Sequence, residues 1–272
     1  MKYYPACNDK ISVEAATAQH PKTALLSYHY FKNKKTLIGE LLKEEVDIFI
    51  DSGAFSAMSL GKEVNIDEYC EFIHETGVSF YAVLDVIGDA QKTYDNLIYM
   101  QRVHGLSPIP VFHMGSTQED LLKIVDYDYI ALGGLVMSSN ILNHCDKCWE
   151  IILKKNDSLK VHAFGVTNID IMKKYPWSSV DSSSYTGCRR FGRQMLIDYN
   201  YRFRTISEDE FLDYLQEIFK YDKEELLINH KKRRYLEDFM AISAMKTYTG
   251  FLTEINKTRD FSYLSNQLTL FD

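Results

Sequence analysis

Three aspartates stand at the ends of short apolar runs, where buried strands would finish. Asp51 closes the run DIFID, Asp85 closes FYAVLD, and Asp181 lies in SSVDSS. A single aspartate at such a place is accounted for as the cap of a following helix. Three carboxylates gathered at one end of a sheet repel one another unless partners or altered protonation compensate, which is typical of a functional site.

Paired carboxylates suit chemistry at a sugar–base bond. One carboxylate can attack the anomeric carbon as a nucleophile, while the other handles the proton of the base. Gly133 and Gly134, also at a strand end, would let a flat ligand approach the backbone, and Ser52 and Asp85 could bind the polar edge of a purine. The spacing alone leaves the three aspartates interchangeable in these roles.

The runs that carry these residues alternate with amphipathic helical patterns. The candidate strands are ALLSYH (24–29), DIFID (47–51), FYAVLD (80–85), PIPVFH (108–113), YIALGG (129–134), KVHAFG (160–165), SSVDSS (178–183) and, more weakly, QMLIDY (194–199). This alternation predicts an α/β fold, a (β/α)₈ TIM barrel whose site lies at the C-terminal ends of the strands. A doubly wound open sheet is the alternative, although no GxGxxG follows the first strand.

The 272-residue chain divides into three predicted parts. Residues 1–205 form the barrel, residues 206–262 form a helical extension packed on it, and residues 263–272 form a flexible tail. No run approaches the roughly 18 apolar residues of a membrane span, and the N-terminus lacks the apolar core of a secretory signal. Five scattered cysteines fit a reducing compartment, so we expect a cytoplasmic protein without a membrane partner.

Four segments together resemble the tRNA-guanine transglycosylase superfamily. FIDSGAFSAMS resembles the family's DSGGFQ segment, IALGGL its GGL signature, and VHAFGVTN its MGVG segment. SSVDSSSYTGCRRFG stands where the family places its nucleophilic aspartate. Each match is short, but all four occur in the family's order at predicted strand ends, across roughly residues 45–195.

The resemblance implies separate roles for the residues. Asp181 would attack C1′ and form a covalent intermediate, and Asp51 would act as general acid and base toward the base. The remaining residues would bind the base: Ser52, Phe55, Asp85, His113, Gly133, Gly134 and Leu135. Phe55 would stack near the base, with a core position as the alternative. His113 stands where the family usually has Gln, which puts the base selectivity in question.

The chain departs from the family at the zinc site. The family's CxCxxC with a later His is missing, and we expect neither a metal nor a cofactor. The pair Cys145–Cys148, with His144 and His162 available, is a weak alternative zinc site. A compact, zinc-free chain looks more like the relatives that place 7-deazaguanines, such as 7-cyano-7-deazaguanine, into DNA.

Two further features concern macromolecular partners. The C-terminal QLTLF is similar to the peptide with which bacterial DNA polymerases dock on the sliding clamp, and would use Gln267, Leu268, Leu270 and Phe271. The alternative is a tail packed on its own barrel. Arg189, Arg190 and Arg193 form a basic cluster beside the site, which suits phosphates despite the net charge of −7. A second basic cluster at residues 231–234 is interpreted as a solvated helix face.

The sequence therefore predicts an enzyme, a transglycosylase that replaces guanine in DNA with a 7-deazaguanine. The same exchange on tRNA is the first alternative. A catalytically silent nucleic-acid-binding barrel and an unrelated nucleosidase also remain open.

Overall fold

A computed structural model describes residues 1–17, 21–135, 140–166, 168–186, 193–197 and 203–207, with a few single positions between 209 and 257. Parallel strands form one sheet in the order β3-β2-β1-β7-β6-β5-β4. They are β1 Lys2–Cys7, β2 Thr23–Ser27, β3 Asp47–Asp51, β4 Val111–His113, β5 Tyr129–Gly133, β6 Lys160–Ala163 and β7 Ser179–Ser182.

A short extended segment joins the two edge strands of this sheet. Tyr81 bridges Ile50 of β3, and Ala82 bridges Ile109, just before β4, both in parallel. The N–H of Ala82 donates to the Ile50 carbonyl at 2.9 Å, and the N–H of Val83 donates to the Ile109 carbonyl at 2.9 Å. The sheet therefore closes into a ring of eight parallel segments, a TIM barrel, and the open-sheet alternative is excluded because that sheet would keep two unpaired edges.

Helices connect successive strands around the ring. They are α1 Lys10–Thr17, α2 Tyr28–Phe31, α3 Lys35–Lys43, α4 Ala54–Ser59, α5 Ile66–Thr76, α6 Ala90–Arg102, α7 Gln118–Leu122, α8 Ile141–Lys155 and α9 Ile169–Lys174. Their starts follow local capping chemistry. The Asn65 side chain accepts from two backbone N–H groups in the first turn of α5, and Thr117 with Asp120 forms a capping box at the start of α7.

The identity of two barrel strands differs from the prediction. β1, which pairs with β2 on one side and with β7 on the other, is absent from the predicted set. QMLIDY as the eighth barrel strand is wrong, because this segment forms β8 (Arg193–Ile197), which pairs antiparallel with β9 (Phe203–Ser207). The predicted number of barrel strands is nevertheless right, since β1 takes the place that QMLIDY was expected to fill.

The barrel interior is filled by aromatic rings. Alternate residues of a barrel strand point inward, so Asp47, Phe49 and Asp51 of β3 belong to three successive layers. In the middle layer, the Phe49 ring lies 4.5 Å from the Phe80 ring, and Phe80 lies 5.1 Å from Tyr129, between ring centroids. Because these rings close the interior, the polar side chains above them lie in a shallow mouth at the C-terminal strand ends.

The predicted domain boundaries fall mostly beyond the described residues. Residue 205, the predicted end of the barrel domain, lies within β9. Of the predicted helical extension at 206–262, the structure describes the last two residues of β9 and a few positions beyond them, and the tail at 263–272 lies outside the described residues. Within the part that the structure describes, no helix has the length and apolar character to cross a membrane.

Candidate active site

The barrel mouth brings together the residues that the strand-end pattern singled out. Asp51 is the last residue of β3, His113 is the last of β4, and Asp181 lies one residue before the end of β7. Asp85 follows the bridged segment at Tyr81 and Ala82. Because the strands are parallel and the ring is closed, side chains distant in sequence converge here.

Asp51 has an unusual protonation equilibrium. Its pKa is raised to about 7, first by burial of the carboxyl group and then by the negative charges of Asp85 and Asp181. The N–H of Gly53, which donates to Oδ2 at 3.2 Å, and the hydroxyl of Ser27 act in the opposite direction. Asp51 can therefore exist in both protonation states near neutral pH, as a general acid and base requires.

Asp85 is held from two sides. The Ser52 hydroxyl donates to Oδ1 at 2.5 Å, and Nε2 of His113 lies 2.8 Å from Oδ2. All three side chains are buried. A carboxylate only accepts hydrogen bonds, so Nε2 of His113 carries the proton toward it. Each carboxylate oxygen keeps a second lone pair, so the cluster can still accept from N–H groups of a ligand.

Asp181 accepts its hydrogen bonds through one of its two carboxylate oxygens. The backbone N–H of Gly165 donates to Oδ1 at 2.8 Å, and Nε2 of His162 lies 3.2 Å from the same atom. Among the described residues, both hydrogen bonds to this side chain end on Oδ1. Oδ2 accepts no hydrogen bond from the described residues, an arrangement that suits a positioned nucleophile.

Gly53 lies where a side chain does not fit. Its φ of +76° is in the left-handed region, and a Cβ added there would lie 2.8 Å from the His29 backbone N and from the Ser27 Oγ. The loop that follows Asp51 therefore packs directly against the end of β2. This close approach fixes the backbone that donates to the Asp51 carboxyl group.

We expect Gly53→Ala to lower the free energy of unfolding by about 1–3 kcal/mol, because the alanine would occupy a strained and crowded position. Gly39→Ala is the matched control, since Gly39 lies in α3 with nothing within 4 Å of an added Cβ. It should raise stability by about 0.5–1 kcal/mol through helix propensity. Urea unfolding of both variants checks this, and an equal effect at the two positions would contradict it.

The other predicted base-binding residues surround this cluster. Phe55 lies on α4 with 53% of its surface exposed, which excludes the core alternative. Gly133 and Gly134 are at the end of β5, and the Gly133 carbonyl accepts from the N–H of Met114 at 3.1 Å. Leu135 follows them directly and is buried, so its predicted contact with the base stays a prediction.

The predicted basic and clamp-binding residues are mostly not described. Arg189 and Arg190 lie outside the described residues, and Arg193 begins β8, with only its backbone described. The four clamp-binding positions, Gln267, Leu268, Leu270 and Phe271, also lie outside them. These assignments stay predictions.

The alternative zinc ligands do not assemble. Cys145 and Cys148 are buried on α8, and burial raises the pKa of each thiol to about 12, so both are protonated thiols of the core. His144 Nε2 lies 3.5 Å from the Cys148 sulfur, whereas His162 contacts Asp181. Within the described part of the chain, no group of three or more His, Cys, Asp or Glu side chains could hold a metal ion.

The strand-end pattern in the sequence does not identify His162 as part of the aspartate site. This residue lies in the middle of β6 and is completely buried, which in sequence looks like an ordinary core position. Its one signal is a polar side chain two residues before Phe164, on the inward face of a strand whose outward residues are apolar. Only the pairing of β6 with β7 shows that this face meets Asp181.

No family model and no curated protein matches the chain. Among solved structures, one from Aquifex aeolicus VF5 is 13% identical with a TM-score of 0.49, covering 68% of this chain and 84% of its own. A ligand-free tryptophan synthase mutant from M. tuberculosis is 13% identical with a TM-score of 0.44, covering 68% and 83%. The open form of that synthase is 13% identical with a TM-score of 0.46, covering 70% and 86%. At such identities the matches say nothing of the reaction, which has to be inferred from the site.

Proposed function

We propose that this chain is a transglycosylase that replaces guanine in DNA with a 7-deazaguanine. The observation that carries the proposal is the contrast between two neighbouring carboxyl groups. Asp51 has a pKa raised to about 7, while Asp181 is fixed through Oδ1 by two donors and presents Oδ2. A carboxyl group with a raised pKa beside a carboxylate that two donors hold in place suits an acid–base residue next to a nucleophile.

The proposed reaction proceeds in two displacements. Oδ2 of Asp181 attacks C1′, the bond from C1′ to N9 of guanine breaks, and the leaving base takes its electron pair together with the proton of Asp51. The incoming 7-deazaguanine then returns its N9 proton to Asp51 and attacks C1′, which releases the Asp181 carboxylate. Bonds and protons balance over the cycle, so no cofactor is consumed.

The base would be recognised beside the two carboxylates. Ser52, Asp85 and His113 form one hydrogen-bonded cluster, and the exposed ring of Phe55 lies on α4 directly after Gly53. A purine placed between them would meet acceptors along one edge and an aromatic face. This arrangement supports a guanine-type ligand, whose N–H groups complement a carboxylate.

We expect Gly133→Ala to weaken guanine binding about tenfold, or roughly 1.4 kcal/mol. A Cβ at this position would lie 2.8 Å from Cε1 and Nδ1 of His113. The imidazole would then have to shift away from Asp85. Titration calorimetry with guanine measures the effect, and unchanged affinity with His113 still on Asp85 would contradict the assigned role.

The choice of DNA depends on the sequence alone. The QLTLF tail favours a sliding clamp as partner, and the arginine cluster at residues 189–193 favours a phosphate backbone. Removing residues 267–272 should abolish binding to the bacterial sliding clamp while leaving exchange on a short oligonucleotide unchanged. Clamp binding that survives this deletion would contradict the docking role.

Base exchange with labelled guanine tests the proposal directly. The protein is incubated with labelled guanine and either duplex DNA or tRNA, and label in each polymer is measured. We expect label in DNA. Label in tRNA alone would identify an RNA enzyme, and release of free base without an acceptor would identify a nucleosidase. Nucleoside mass spectrometry of DNA and tRNA from expressing cells would then identify the inserted base.

A further inference from the structure

A chain of hydrogen bonds runs behind the proposed nucleophile. The hydroxyl of Tyr129 lies 2.7 Å from the Ser179 Oγ, and this Oγ lies 2.6 Å from Nδ1 of His162. Nε2 of the same imidazole lies 3.2 Å from Oδ1 of Asp181. Side chains from β5, β6 and β7 are thereby linked in one line that ends on the carboxylate.

The direction of this chain follows from the chemistry of its members. Oδ1 of Asp181 accepts from Gly165 and, as a carboxylate oxygen, can only accept from His162, so the proton must be on Nε2. In the neutral ring Nδ1 is then an acceptor, and the Ser179 hydroxyl donates to it. Because Ser179 has a single proton, Tyr129 must donate to Ser179.

Tyr129 is suited to begin the chain. Burial is the largest cause that raises the pKa of its hydroxyl to about 12, so the group stays protonated at any working pH. In the opposite direction, Nδ1 of His162 would donate to Ser179 and Ser179 would donate to Tyr129. The unprotonated Nε2 of the neutral ring would then turn its lone pair toward the Asp181 carboxylate. Two acceptors facing each other in a buried site are unfavourable, so with a neutral imidazole one arrangement of the chain satisfies every member.

The imidazole itself cannot turn. His162 has no exposed surface, and its ring is packed edge-on between Phe49 and Phe164, at centroid distances of 4.7 Å and 4.6 Å. Tyr4 approaches from a third side at 6.3 Å. A locked rotamer with a locked tautomer gives a donor that does not reorganise during a reaction.

We propose that His162 is a positioning residue, held by Ser179 and Tyr129 as the Nε2–H tautomer, that fixes Asp181 through Oδ1 for attack by Oδ2. This inference rests on the proposed function for the identity of the reaction. In the covalent intermediate Oδ1 becomes the carbonyl oxygen of the ester. The N–H groups of His162 and Gly165 then stabilise the negative charge that returns to the carboxylate when the incoming base displaces it.

Kinetics provides the first arm of the test. His162→Ala should lower the single-turnover rate constant about 100-fold with little change in the KM for guanine. His162→Gln, whose amide nitrogen stands at the same bond count from the backbone as Nε2, should recover most of that loss. Cys145→Ala, a buried truncation on α8 outside the hydrogen-bond chain, is the control for destabilisation. Equal losses in the Ala and Gln variants would overturn the positioning role.

The tautomer of His162 provides the second arm of the test, and its measurement does not require the protein to catalyse any reaction. In ¹H–¹⁵N spectra of histidine-labelled protein, the ring whose signals disappear in His162→Gln should be protonated at Nε2 and unprotonated at Nδ1. Ser179→Ala should leave the proton on Nε2, which still faces the Asp181 carboxylate, and should shift the ¹⁵N signal of Nδ1, which loses its hydrogen bond. A wild-type ring protonated at Nδ1, or at both nitrogens, would overturn the inference. Absence of guanine exchange by the wild-type protein would instead overturn the proposed function, so the two failures are distinct.

Discussion

Asp181→Asn should abolish base exchange while leaving the barrel folded. The asparagine side chain keeps an oxygen that can accept from Gly165 and His162, so the local hydrogen bonds can persist. It has no carboxylate to attack C1′, and loss of a nucleophile typically lowers turnover by about 10⁴- to 10⁶-fold. Labelled-guanine exchange into DNA measures the loss, and circular dichroism with guanine titration measures the fold and the base site.

Asp47→Asn is the matched control for this variant. Asp47 lies on the same barrel, at the opposite end of β3, where its carboxylate accepts from the Tyr4 hydroxyl at 3.1 Å. Loss of a carboxylate there should leave exchange close to the wild-type rate. Exchange that survives in Asp181→Asn would show that another group attacks C1′. If the wild-type protein performs no exchange and Asp181→Asn binds nucleic acid as well as the wild type does, the chain is the catalytically silent nucleic-acid-binding barrel.

Asp51→Asn should lower exchange by about 10²- to 10⁴-fold, the usual contribution of a general acid–base residue. In the proposed mechanism one displacement needs the protonated carboxyl group of Asp51 and the other needs its carboxylate. With a pKa of about 7, both forms are populated near neutrality. The wild-type rate should therefore pass through a maximum near pH 7, and the variant should lose this dependence. A wild-type rate that is flat between pH 5 and pH 9 would contradict the assignment.

Asp51→Asn should lower activity but raise the free energy of unfolding near neutral pH. The pKa of Asp51 is raised from 3.8 when the chain folds, so between pH 4 and pH 7 the folded state binds a proton that the unfolded state has lost. Stability then falls as pH rises through this window, because folding increasingly requires a crowded, desolvated charge. At pH 8 we expect Asp51→Asn to be more stable than wild type by about 2–4 kcal/mol, with the difference shrinking toward pH 4. Urea denaturation at pH 4, 6 and 8 measures this.

A gain in stability together with a loss in activity would distinguish a functional carboxylate from a structural one. Replacing a carboxylate that is retained for the fold would instead lower the free energy of unfolding. Gly165 and His162 donate to Asp181, whereas Asp51 receives one backbone donor and faces two further negative charges. We therefore expect the proposed function to oppose stability at Asp51.

The strand ends could be predicted because they are local features. Runs such as DIFID and YIALGG combine branched or aromatic residues with a polar or glycine end, and β3 and β5 confirm them within a residue. The first barrel strand could not be found in this way. KYYPAC contains Pro5, which lacks the N–H of a strand donor, and its place is fixed by pairing with β7 across most of the chain.

QMLIDY shows the converse error. Its local pattern is that of a strand, and it is one, but nothing local distinguishes a parallel barrel strand from one arm of an antiparallel hairpin. The same limit applies to His162, whose contact with Asp181 depends on the β6–β7 register. The aspartates could be predicted because each lies at the end of its own strand segment, whereas several of the groups that hold them come from neighbouring strands.

Isolation of the covalent intermediate tests the central claim most directly. The protein is mixed with a guanine-containing DNA duplex and quenched in denaturant during turnover, and the protein–DNA adduct is digested and mapped by mass spectrometry. We predict a single adduct, a deoxyribosyl ester on Asp181, that is absent from Asp181→Asn and disappears when 7-deazaguanine is added in excess before the quench. An adduct on Asp51 or Asp85, or guanine exchange that proceeds without any adduct, would contradict the assignment of Asp181 as the nucleophile.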